Sequence, residues 1–121
     1  MTLRARKEAR LWGEFMDEHL EDVRRYDAHA KPETVVKIVN YLGIALRNPD
    51  ARFVSCTRKT EMDRIREKFL EKKLRLSARD HDLDTLLSDT SEEMAGDRMK
   101  SRVTFYYLLA RRAGRLGDFG D

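Results

Sequence analysis

The chain has 121 residues, of which 40% are hydrophobic and 39% charged, with 6 Gly and 2 Pro. That is enough to bury one core without covalent staples, and too little turn chemistry for a fold of many strands. Its 25 basic and 22 acidic residues leave a net charge of only +3, short of the concentrated excess of a domain built on phosphate contacts.

The spacing of Ala5, Ala9, Trp12, Met16, Leu20 or His19, Val23 and Tyr26 predicts a helix from Leu3 to about Ala28. Gly13 sits inside that pattern at a cost of about 1 kcal/mol against Ala, so the helix is expected to fray or break there. This divides the chain into a basic leader over residues 1–12, which the same spacing allows to be helical, a single helical domain over 13–116, and a flexible tail over 117–121.

Pro32 suits a first helical position and opens a second predicted helix from about Glu33 to Leu46, ended by Asn48-Pro49-Asp50. Ala51 to Thr57 reads equally as a short extended segment, a single helical turn or a loop. A third helix over about Arg58 to Lys73, capped by Thr57 or Thr60, places Met62, Ile65, Phe69 and Leu70 on one face. A fourth starts at Ser77 or Asp80, turns Leu83, Leu86, Leu87 and Met94 inward, and closes at Gly96.

Asp97 is the expected cap of the last helix, Arg98 to Ala113. Gly114 and Leu116 suit a Schellman ending. From Val103 to Ala110 this segment is apolar nearly all round, and a helix apolar on every side is surrounded by others. The expected fold is therefore all-α, about five helices in a compact array around a central C-terminal helix.

Charge alternates along the chain. Residues 13–30 and 77–97 are acidic, whereas residues 98–115 carry Arg98, Lys100, Arg102, Arg111, Arg112 and Arg115 with no acid. Pairing between neighbouring helices is the expected use of that layout.

Candidate chemistry is thin. His19, His29 and His81 stand at no ligand spacing from one another or from Cys56, so no metal site is assigned. Asp80, Asp82, Asp84 and Asp89 suggest calcium until the loop is counted. Starting at Asp80, its sixth position is Thr85 rather than Gly and its twelfth is Ser91 rather than Glu. Those acids are better read as dipole partners in a helix's first turn.

Cys56 precedes a helix start and two cations, a setting that lowers a thiol pKa, but free cysteine is commonly a small buried hydrophobe. Its being the only cysteine excludes an internal disulfide and fits a reducing, cytoplasmic compartment. The basic start has no apolar stretch behind it, so no secretory signal is expected, and no run approaches the ~20 residues of a membrane span.

Phosphate contacts could come from Arg4, Arg6, Lys7 and Arg10 or from Lys68, Lys72, Lys73 and Arg75. Glu67 and Glu71 interleave with the second set, as on an ordinary solvated helix. Phe105, Tyr106 and Tyr107 read as core rather than as a stacking platform, because Leu108 and Leu109 continue the run.

The strings Asp50-Ala51 through Val54-Ser55-Cys56, Glu61 to Arg66, Phe69-Leu70-Glu71-Lys72-Lys73-Leu74 and Arg98-Met99-Lys100-Ser101-Arg102-Val103-Thr104-Phe105-Tyr106-Tyr107-Leu108-Leu109-Ala110 carry a resemblance. Together with Gly114 and Leu116, they resemble a family of short bacterial proteins catalogued as a domain of unknown function, number 2853. The likeness covers roughly residues 20–116. The family carries Asp-Pro where this chain has Thr57-Arg58-Lys59, and Gly where Arg75 stands. The resemblance implies a helical fold of core and cap residues and transfers no activity, cofactor or catalytic position.

A non-enzymatic protein-interaction module or homo-oligomer is the expected function. The alternative is nucleic-acid binding through the basic leader and basic helix ends. No catalytic, cofactor-binding or metal-ligating residue is assigned, and a membrane is not an expected partner.

Overall fold

The computed structural model describes residues 3–117, and within its first helix the side chains of residues 3, 6 and 12 onward. Among these residues five helices pack together beside one short antiparallel strand pair. The tail beyond Gly117 lies outside the described residues.

Helix α1 (Leu3–Arg24) runs unbroken through Gly13 and stops four residues short of the expected end. Arg24 closes it by donating from Nε and Nη2 to the Ala30 carbonyl, at 3.2 and 3.0 Å. This turns the chain back toward α2 (Pro32–Leu42), with Pro32 in its first turn.

The second helix is shorter than the apolar spacing predicts. Gly43 adopts φ +50, where a side chain would be strained, and its N–H bonds the Val39 carbonyl. Gly43–Arg47 then winds as a tighter 3₁₀ turn. Asn48 accepts the Asp50 N–H at 2.9 Å and starts a second 3₁₀ turn over Pro49–Arg52.

The ambiguous stretch after it resolves into strand β1 (Phe53–Val54), antiparallel to β2 (Lys100–Ser101), with Phe53 opposite Ser101 and Val54 opposite Lys100. Five helices therefore share the fold with a two-residue ladder that composition alone did not suggest.

Helix α3 (Lys59–Ile65) has Arg58 at its cap position with no side-chain capping bond, so neither Thr57 nor Thr60 serves there. It continues as π-helical turns over Arg66–Lys73, buries Phe69 and Leu70, and ends with Leu74 N–H bonding the Phe69 carbonyl at 2.8 Å. Arg75 then takes φ +56, the left-handed conformation that glycine adopts freely.

Helix α4 (Leu83–Glu93) starts later than Ser77 or Asp80. Asp82 is its cap and accepts the Thr85 N–H at 3.0 Å, while Ser77 and Asp80 belong to a preceding turn. The helix closes at Glu93, ahead of Gly96.

Helix α5 (Arg102–Arg112) likewise begins four residues after the expected start. Ser101 caps it, because Lys100 and Ser101 are held in β2 and Asp97 is engaged by Arg25 and Tyr26. Its end is a Schellman turn. Gly114 has φ +70, Arg115 N–H bonds the Ala110 carbonyl at 2.8 Å, and Gly114 N–H bonds that of Arg111 at 3.0 Å.

All eight residues from Val103 to Ala110 are buried, and α5 packs against α1, α2 and α4. The core also includes Val23, Val35, Ile38, Ile65, Phe69, Leu70, Leu87 and Met94.

The charged segments meet as their alternation predicts. Glu93 of α4 receives Arg111 at 2.7 Å and Arg112 at 2.9 Å, Arg66 reaches Asp84 at 2.9 Å, and Arg25 reaches Asp97 at 2.6 Å.

Candidate functional site

Gly43 turns the chain out of α2 and leaves Ile44 79% exposed beside the middle of α1, where Trp12 is 51% exposed. Between them lies a groove of about 760 Å³ lined by Trp12, Phe15, Val39, Asn40, Gly43, Ile44, Leu46, Arg47 and Arg52. Trp12 and Phe15 stack with ring centroids 5.6 Å apart, and Phe15 meets His19 edge-on at 4.5 Å.

Arg52 is fixed by an Nε bond of 2.6 Å to the Leu46 carbonyl, and its guanidinium stands 5.9 Å from the Phe15 ring centre. Below Phe15, Nε2 of His19 is buried and meets no hydrogen-bond partner among the described residues. Burial, with Arg52 nearby, holds this imidazole below its ordinary pKa. The groove thus offers stacked aromatic and aliphatic surface with two guanidinium groups on its rim, a composition suited to receiving apolar side chains.

A second cleft is built around Arg102. Its guanidinium donates to the carbonyls of Ala51 and Phe53 and to the Glu61 carboxylate, tying α5 to α3 and β1. Its mouth includes Arg58, Arg64 and Met99. Arg102 and Glu61 are spent on each other and on backbone, so the cleft serves the fold.

The features singled out from sequence are scattered. Cys56 is half-buried against the core and shares a small cavity with Met62 and Leu87. His19 is on α1, His29 in the turn after it and His81 before α4, and no metal-holding cluster gathers among the described residues. Asp82 is a helix cap and Asp84 an ion-pair partner.

Phe105, Tyr106 and Tyr107 are buried. Of the second basic run, Lys73 lies 5.4 Å from the Tyr41 ring centre. In the leader Arg6 is exposed, while the side chains of Arg4, Lys7 and Arg10 lie outside the described residues. No described helix is long and apolar enough to cross a membrane.

The groove was missed because Ile44 continues the apolar pattern of α2 and reads as inward. Gly43, directly before it, was the available signal.

A family model described as protein of unknown function (DUF2853) matches residues 18–117. The chain belongs to this family. The DUF2853 match runs from the last third of α1 through the Schellman turn, so Ile44 and Leu46 lie inside it and Trp12 and Phe15 before it. A search of curated proteins found no match.

Proposed function

We propose that this protein is a non-enzymatic helical module that works through protein contacts, made at the Trp12–Ile44 groove. The observation that carries the reading is the convergence of two large exposed apolar side chains, Trp12 and Ile44, on one cavity floored by Phe15 and Leu46. Contact surfaces of this kind are anchored by aromatic residues in apolar pockets, with arginine enriched around them.

The unbroken burial of Val103 to Ala110 supports a further part of the reading, that α5 is the centre of the array and the groove a surface feature built upon it. The single cysteine supports a cytoplasmic setting, and the family resemblance a bacterial one. The nucleic-acid alternative is weakened by the engagement of Arg102, Arg111 and Arg112 with acids of their own chain.

Affinity capture from the native host, with mass-spectrometric identification, tests the proposal on the wild type and on Ile44→Glu, with and without nuclease. A set of proteins that resists nuclease and is lost in Ile44→Glu is the expected result. Capture that survives the substitution or vanishes with nuclease would sink it.

A further inference from the structure

Among the described side chains of α1, those that pack on the core come from its second half. Val23 is buried, and Phe15, Met16, His19 and Leu20 are half-buried, whereas Leu3, Arg6, Trp12 and Gly13 are exposed. Its charges are ordered with equal clarity. Arg4, Arg6, Lys7 and Arg10 precede Gly13, with Glu8 the only acid among them, and Glu14, Asp17, Glu18, Glu21 and Asp22 follow it.

This order opposes the helix dipole, which favours acids in the first turn, where α1 has none. In a lone helix the arrangement is therefore unfavourable. It becomes favourable when an acidic helix segment running the other way lies alongside.

Gly13 adds an independent observation. It lies within a continuous helix and is exposed, and a Cβ built there would meet nothing within 4 Å. Its φ is not in the left-handed region, so among the described residues neither packing nor backbone conformation calls for glycine, and helix propensity disfavours it. Close approach of another backbone does call for it.

We infer that α1 is a self-pairing surface, on which the α1 helices of two copies lie antiparallel about a two-fold axis at Gly13. The inference rests on the protein-contact reading and names the partner as a second copy of this chain. An axis at Gly13 brings residues 4–10 of one copy, a basic stretch that includes the exposed Arg6, level with residues 16–22 of the other, which hold the exposed acids Asp17, Glu18 and Glu21. Parallel pairing would set like charges together.

Sedimentation of the purified full chain over a concentration series is the test. The wild type is expected at twice the 14.3 kDa chain mass. The double variants Arg6→Glu/Arg10→Glu and Asp17→Lys/Glu21→Lys should each lose the dimer, and an equal mixture of the two should regain it. That rescue separates lost pairing from lost folding. Gly13→Gln, a better helix former, should also lose the dimer while its helical circular dichroism is kept.

A wild type that stays monomeric at millimolar concentration overturns the pairing, as does a mixture that fails to reassociate. So does a salt-sensitive complex of monomeric wild type with a labelled DNA duplex that Arg6→Glu/Arg10→Glu abolishes. If the chain is monomeric and host proteins are still captured through Ile44, the second copy is the wrong partner and the contact reading stands.

Discussion

The Tyr107 hydroxyl donates to Oδ2 of Asp27 at 2.6 Å, joining α5 to the turn that follows α1. Asp27 also accepts the His29 N–H at 3.1 Å, so one carboxylate orders the reversal and fastens it to the core helix. The tyrosine bond, more than the His29 N–H, holds the Asp27 carboxyl below the usual carboxylate range. Burial, and then the same bond, pushes the Tyr107 phenol up.

Tyr107→Phe is therefore expected to cost about 1.5–3 kcal/mol at neutral pH, the range for a hydrogen bond to a charged group. Because the folded-state pKa of Asp27 is depressed, its contribution is present above the unfolded value of about 4 and is lost as pH falls through the folded one. Urea midpoints of wild type and Tyr107→Phe should accordingly differ at pH 7 and converge toward pH 3. A gap of the same size at both pH values would contradict this.

Leu108 lies on α5 between Tyr107 and Leu109 and has no exposed surface. Leu108→Ala should cost ~2–5 kcal/mol through lost transfer energy and the cavity left behind. An unchanged denaturation midpoint would remove α5 from the core.

Arg75 follows the π-helical turns at φ +56, and Leu76 N–H reaches back to the Leu70 carbonyl at 2.9 Å. The left-handed conformation is costly for a residue with a Cβ, so Arg75→Gly should stabilise the protein by about 1 kcal/mol. Arg75→Ala keeps the strain and should be close to neutral. Thermal melts of both variants check this, and equal gains in the two would trace the effect to loss of the side chain.

The helices themselves were legible because their apolar residues repeat at helical spacing, and Gly114 marked the Schellman end correctly. The starts of α4 and α5 were not. Ser77, Asp80, Asp82, Asp97 and Ser101 are equally good caps in isolation, and the choice among them is made by tertiary partners. Asp97 is taken by Arg25 and Tyr26, and Lys100 and Ser101 are taken by Phe53 and Val54. A two-residue strand pair has too few residues to show a period of two. The groove was illegible for a similar reason: periodicity gives the side of a helix on which Trp12 lies, but not that α2 ends at Gly43 and leaves that side uncovered.

His19 connects the groove floor to pH. Its imidazole is held below the ordinary value of about 6.5, chiefly by burial, so the unfolded chain takes up this proton before the folded one does. Stability should be full above that value and fall as pH drops from it through the folded-state pKa. His19→Phe removes the titration and the unpaired Nε2, and it should flatten the stability profile between about pH 5 and 7. A chemical-denaturation series over that range decides it, and an undiminished slope in the variant would assign the pH dependence to other groups.

Arg102 and Glu61 are the most enclosed ion pair among the described residues, with side chains 12% and 11% exposed. Removing one member of such a pair strands the other, so Glu61→Ala is expected to cost ~3–5 kcal/mol. Replacing both members of a buried pair by apolar residues is often neutral, but Arg102 has a second task. It also donates to the carbonyls of Ala51 and Phe53, which hold the turn before β1 against α5. Glu61→Leu/Arg102→Leu leaves those carbonyls without their donor and should remain destabilised by about 1–3 kcal/mol. Arg102→Lys, which cannot reproduce the planar fork, should fall nearer to the double variant than to wild type. Denaturation midpoints of the three variants distinguish the roles, and a double variant as stable as wild type would reduce Arg102 to a counter-ion for Glu61.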